Sequence, residues 1–98
     1  MGSFDGRSIE IYYDTATIPP EFGTPLTFRN AAMALVDDAL EKAYAGEWVS
    51  AEQGAREVNF GFNVDDFDEA EAIVRSAVAG TPYAEIREIV RTKHAVFA

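Results

Sequence analysis

Asp65, Asp66, Asp68, Glu69 and Glu71 crowd together directly after the alternating run EVNFGFNV. Clustered carboxylates in a loop are the raw material of a calcium site. Such a loop needs oxygen ligands at fixed odd positions, a glycine at the sixth and a glutamate at the twelfth. Counted from Asp66, the third position is Asp68, but the fifth is Ala70 and the sixth Glu71. Counted from Asn63, the third is Asp65, the fifth Phe67 and the sixth Asp68. Neither frame has the glycine. The same residues suit the start of a helix. Asp66 and Glu69 have the spacing of a capping box, with Asp in place of Ser or Thr. The other carboxylates favour the positive end of the helix dipole. Phe67, Ala70, Val74, Ala77 and Val78 then form an apolar stripe, and Gly80 ends it. A helix cap is expected here, with no metal and no cofactor.

His94 is the single histidine. A catalytic base needs a partner to hold and use it, and no nucleophile or orienting group is expected near this position, so His94 reads as an exposed tail residue. The chain has no cysteine. That excludes disulfides, thiol catalysis and cysteine-bound zinc, and it fits a reducing, cytoplasmic setting. GxSxG, Walker A, GxGxxG and HExxH motifs are all missing. No catalytic residue is assigned.

Charge narrows the partners. Seventeen acidic residues oppose eight basic ones, for a formal net charge of −9. Such a chain repels nucleic-acid phosphates and anionic membranes, and it leaves a basic partner or small cations. No apolar run approaches the ~20 residues that span a bilayer, and no leader peptide is read at the start.

The elements follow from periodicity. Ser8 to Asp14 alternates Ile9, Ile11 and Tyr13 against Glu10, Tyr12 and Asp14, which is a half-buried strand. TATIPPEFGTP must be a loop, because Pro19 and Pro20 can sustain neither a ladder nor a helix interior. Thr24, with Pro25 in the first turn, or Thr27 can cap the helix read over Phe28 to Ala45. Its stripe is Phe28, Ala32, Leu35, Ala39 and Ala43, broadened by Val36 and Leu40, and Gly46 is expected to stop it. Glu47 to Gln53 is a weaker strand. Glu57 to Val64 is the strongest, with Val58, Phe60, Phe62 and Val64 on one side and Glu57, Asn59, Gly61 and Asn63 on the other. The pair reads as a hairpin turning near Gly54. The segment after Pro82 is ambiguous between helix and strand, and a strand over Glu85 to Arg91 is preferred.

This order, with right-handed crossovers, predicts one α+β domain of ferredoxin-like βαββαβ type over residues 1–98. It would be a two-layer sandwich: a four-stranded antiparallel sheet with both helices on one face and strands in the order fourth, first, third, second. The uncovered face would carry Tyr12, Asp14, Asn59, Asn63 and Trp48, with Tyr12 opposite Gly61. Phe22, with Ile18 and the two prolines, makes an unusually apolar loop; it either tucks under the long helix or meets another protein. The expected function is a small, acidic, non-enzymatic interaction or regulatory protein. It would form a homodimer or bind a basic protein through Tyr12, Asp14, Trp48, Asn59, Asn63 and Phe22. The alternative is a dimeric enzyme or small-molecule binder with Tyr12, Asp14, Asn59 and Asn63 lining a polar cleft.

Overall fold

Ile9, Ile11 and Tyr13 in strand β1 (Arg7–Asp14) lie opposite Phe62, Phe60 and Val58 in strand β3 (Glu57–Val64). Antiparallel partners share a face, so the two apolar sets merge into one wall. Helix α1 (Pro25–Lys42) covers that wall with Phe28, Ala32, Val36 and Leu40. Helix α2 (Phe67–Val78) adds Ala70, Val74 and Val78. Strand β2 (Gly46–Gln53) flanks β3, and strand β4 (Glu88–Lys93) flanks β1. All three pairings are antiparallel, in the order β2-β3-β1-β4. Read from the other edge this is fourth, first, third, second. The result is an α+β fold with a four-stranded antiparallel sheet and two helices. The computed structural model describes residues 6–94.

Tyr13 carries a polar group into the core, and it is satisfied there. Tyr13 is 1% exposed, and its hydroxyl donates to the Tyr83 carbonyl at 2.7 Å. Burial raises this phenol well above its ordinary pKa, with Tyr83 adding to the effect. Its ring meets Phe28 edge-on at 5.0 Å.

The acidic run after β3 starts a helix, as its spacing implies. Asp66 is extended and its Oδ1 accepts from the Glu69 backbone N–H at 2.9 Å. Two further carboxylates reach across to the sheet: Arg91 of β4 donates to Asp68 at 2.9 Å and to Glu71. Phe67 lies between two cations, with the Arg7 and Arg91 guanidinium carbons 6.0 and 5.3 Å from its ring centre. This cluster therefore stitches α2 to the β1–β4 side of the sheet.

Several boundaries differ from the sequence reading: β1 and β2 begin one residue earlier, at Arg7 and Gly46, β4 runs on to Lys93, and three further ends need an explanation. Helix α1 starts at Pro25, because Thr24 caps it by accepting from the Thr27 N–H at 3.2 Å. It stops at Lys42, and Gly46 is not its cap. Tyr44 takes the left-handed conformation instead, at φ 54°. The Ala45 N–H bonds to Leu40 and that of Tyr44 to Glu41, the two bonds of a Schellman ending. Gly46 serves close approach: a Cβ there would sit 3.1 Å from the Asn63 carbonyl oxygen. Strand β4 begins at Glu88, three residues later than Glu85. Its first ladder partner is Tyr12, and β1 ends just beyond at Asp14.

Two stability changes follow. Asp66→Ala lowers unfolding free energy in urea by ~0.5–2 kcal/mol through loss of the cap; an unchanged midpoint would contradict it. Tyr44→Gly raises stability by about 0.5–1 kcal/mol, because glycine accepts a positive φ that costs other residues ~1–2 kcal/mol. A destabilised Tyr44→Gly variant would mean that the exposed ring makes contacts worth more than the strain.

Candidate functional site

The sheet face away from the helices is built in rungs. Across β1 and β3 these are Asp14 with Glu57, Tyr12 with Asn59, Glu10 with Gly61, and Ser8 with Asn63. On the β2 side Glu52 stands beside Asn59 and Ser50 beside Gly61. On the β4 side Glu88 stands beside Tyr12 and Val90 beside Glu10. Tyr12 thus opposes Asn59, one rung from the Gly61 partner expected. Gly61 lets its neighbours close in: a Cβ there would sit 3.2 Å from Ser50 Oγ and 3.4 Å from Glu10 Cγ.

Tyr12 is the centre of the polar contacts. Its hydroxyl donates to Glu10 Oε1 at 3.3 Å. Burial raises its pKa first, and the negative charges of Glu10, Glu57 and Glu52 raise it further. The Arg87 guanidinium carbon lies 5.3 Å from the Tyr12 ring centre, within cation–π range. Arg87 also donates to Glu57 at 2.8 Å and approaches Glu88 at 3.5 Å. These carboxylates hold the guanidinium in its charged form, the Glu57 hydrogen bond most of all.

Asn59 is unusual. It lies on the face without helices, yet it is only 4% exposed. Its Oδ1 is buried and has no hydrogen-bond partner among the described residues. Buried acceptors are normally paired, and one left unpaired costs ~1–3 kcal/mol.

The sequence-derived site residues do not all converge. Tyr12 and Asn59 form one rung, and Asn63 lies two rungs along the same face. Asp14 lies one rung in the other direction, but its carboxylate accepts from the Ala16 N–H at 2.9 Å and caps the turn that follows. Trp48 requires a correction. A bulge between Trp48 and Ser50 adds one residue to β2, so Trp48 comes into register with Phe62, a residue of the helix-covered face. It is 49% exposed at the sheet edge, near Val49 in sequence, which is also exposed. Phe22 is away from this face altogether: it is half-buried, 5.1 Å edge-on to Phe28 and 5.7 Å from Tyr83. It extends the core beneath the loop.

His94 is exposed, as expected, but it is not without a neighbour. Its Nε2 is 2.9 Å from Ser8 Oγ, because β1 and β4 run side by side there. A serine beside an imidazole is the first link of a nucleophile–base relay. A relay also needs a third group to orient the ring, and no hydrogen bond to the second ring nitrogen is present among the described residues. Three or more His, Cys, Asp or Glu side chains grouped to hold a metal ion are likewise absent among the described residues. No described helix is long and apolar enough to cross a membrane.

Sequence reasoning placed Glu52 on this face but missed Arg87 and the burial of Asn59. The available signal for Arg87 was its place in the segment expected to pair beside β1; the structure puts it just ahead of β4. No family model, curated protein or solved structure matches this chain.

Asn59→Val removes this unpaired oxygen and should stabilise the protein by about 1 kcal/mol in urea. A loss of similar size would show that this oxygen already has a donor.

Proposed function

We propose that this chain is a small acidic interaction domain, ferredoxin-like in arrangement, that binds a basic protein through its helix-free sheet face. A cytoplasmic, non-enzymatic role belongs to the same reading. The strand order read from the β4 edge and the βαββαβ succession support the fold name, given the right-handed crossovers usual for such units. The observation that carries the function is the Tyr12–Asn59 rung. An aromatic ring and a buried acceptor without a donor stand on one face, and Glu10, Glu52, Glu57, Glu88 and Asp14 surround them. Glu10 and Glu52 make no ion pair among the described residues. Such a surface offers acceptors and negative charge and asks for donors and positive charge.

A basic partner fits better than a second copy. Two-fold pairing of this face would bring Glu10, Glu52 and Glu57 toward their own copies, and like charges in an interface are costly. A cationic partner turns the same residues into favourable contacts and speeds encounter.

The test must separate a specific face from general acidity. A labelled peptide rich in Lys and Arg is titrated by fluorescence anisotropy at fixed salt. Glu10, Glu52 and Glu57 are changed together to Gln in one variant. Glu21, Glu41 and Glu69 are changed together in another, so both lose the same charge. The open-face variant should weaken binding about tenfold or more relative to the control variant. Equal weakening would reduce the interaction to net charge. A stable dimer in sedimentation at high micromolar concentration, broken by Tyr12→Lys, would give the face to self-association.

A further inference from the structure

The open face already seats one guanidinium, and it belongs to the protein itself. Arg87 lies 5.3 Å from the Tyr12 ring centre and donates to Glu57 at 2.8 Å. Its side chain is 38% exposed. Its backbone is fixed, because its N–H bonds to the Tyr12 carbonyl at 2.8 Å. What can move is the side chain. Beside it lies an open depression of about 300 Å³ that Asp14 and Glu85 help to line. The swung-out guanidinium therefore has both room and negative charge to receive it.

We infer that the Tyr12–Glu57 seat recognises an arginine side chain of the partner, and that Arg87 is a resident competitor which that arginine displaces. This rests on the reading of the face as a surface for a basic protein. Three observations favour a guanidinium over an ammonium. The seat is an aromatic face with a carboxylate beside it, which suits a planar cation that stacks and hydrogen-bonds at once. Arg87 shows that this geometry holds a guanidinium with a 2.8 Å hydrogen bond. The Asn59 acceptor on the Tyr12 rung lacks a donor, and a guanidinium has five N–H groups to distribute between ring, carboxylate and amide. That oxygen is covered in the free protein, so its pairing requires the neighbouring Tyr12 or Glu52 side chain to shift as the partner arrives.

Competition within the chain lowers affinity, because the open seat exists for only part of the time. Removing the competitor should therefore tighten binding. Hexa-arginine and hexa-lysine are titrated against wild type, Arg87→Gln, Arg87→Lys and Arg75→Gln. The last removes the same charge from α2, where it takes no part in the seat. Circular dichroism confirms that each variant is folded. Arg87→Gln should bind hexa-arginine about tenfold more tightly than Arg75→Gln does. The gain for hexa-lysine should be smaller, and Tyr12→Leu added to Arg87→Gln should abolish it. Arg87→Lys should fall between wild type and Arg87→Gln. If wild type binds hexa-arginine on this face and Arg87→Gln merely equals Arg75→Gln, displacement is overturned while the surface reading stands. Weaker binding by Arg87→Gln would also overturn it, making Arg87 a support for the site. If no variant binds either peptide, the surface reading fails together with the seat.

Discussion

Everything in this fold depends on the register of β1 against β3. Ile9 opposite Phe62 and Ile11 opposite Phe60 put four large side chains into one wall. A slip of one residue would turn that wall to solvent and send Glu10 and Tyr12 beneath the helices. The cost of that error is large, since burying each such side chain is worth ~1.5–3 kcal/mol. The same register assembles the other face. Tyr12 meets Asn59, and Glu10 meets Gly61, because Ile11 meets Phe60. Core and candidate site are two sides of a single pairing.

The remaining elements serve that pairing. Both helices bury their stripes on the same wall, so the opposite side is left to polar residues. The acidic run after β3 is spent on structure: Asp66 caps α2, while Asp68 and Glu71 grip Arg91 across the gap to β4. The carboxylates around Tyr12 are only partly spent in this way. Glu57 and Glu88 share Arg87, and Glu10 takes only the Tyr12 hydroxyl. Unpaired negative charge therefore stands on the face that no helix covers, at Glu10 and Glu52.

The sheet was legible because alternation survives in a strand whose two faces differ. Val58, Phe60, Phe62 and Val64 announce the buried side of β3, and the cap at Asp66 follows from its spacing to Glu69. The rest needed contacts between distant segments. Nothing in GEWVSAEQ marks the bulge that turns Trp48 to the Phe62 side, since no glycine or proline stands at the break. Period two says that Asn59 faces away from the core, but it cannot say that neighbouring strands close around it. The apolar loop left open whether Phe22 tucks under the long helix or meets a partner, and Phe28 and Tyr83 beneath it decide for the first. Ser8 and His94 are 86 residues apart and meet only through the β1–β4 ladder. Arg87 became part of the site for the same reason.

The most direct measurement of the central claim is a residue-by-residue map of contact. A heteronuclear NMR titration with a basic peptide reports each backbone amide separately. The largest shifts should gather on Glu10, Tyr12, Asn59, Gly61 and Glu52, and on Arg87 at the entrance to β4. Amides of α1 and α2 should stay still. Shifts gathered on the helices, or spread evenly over every acidic segment, would contradict the account.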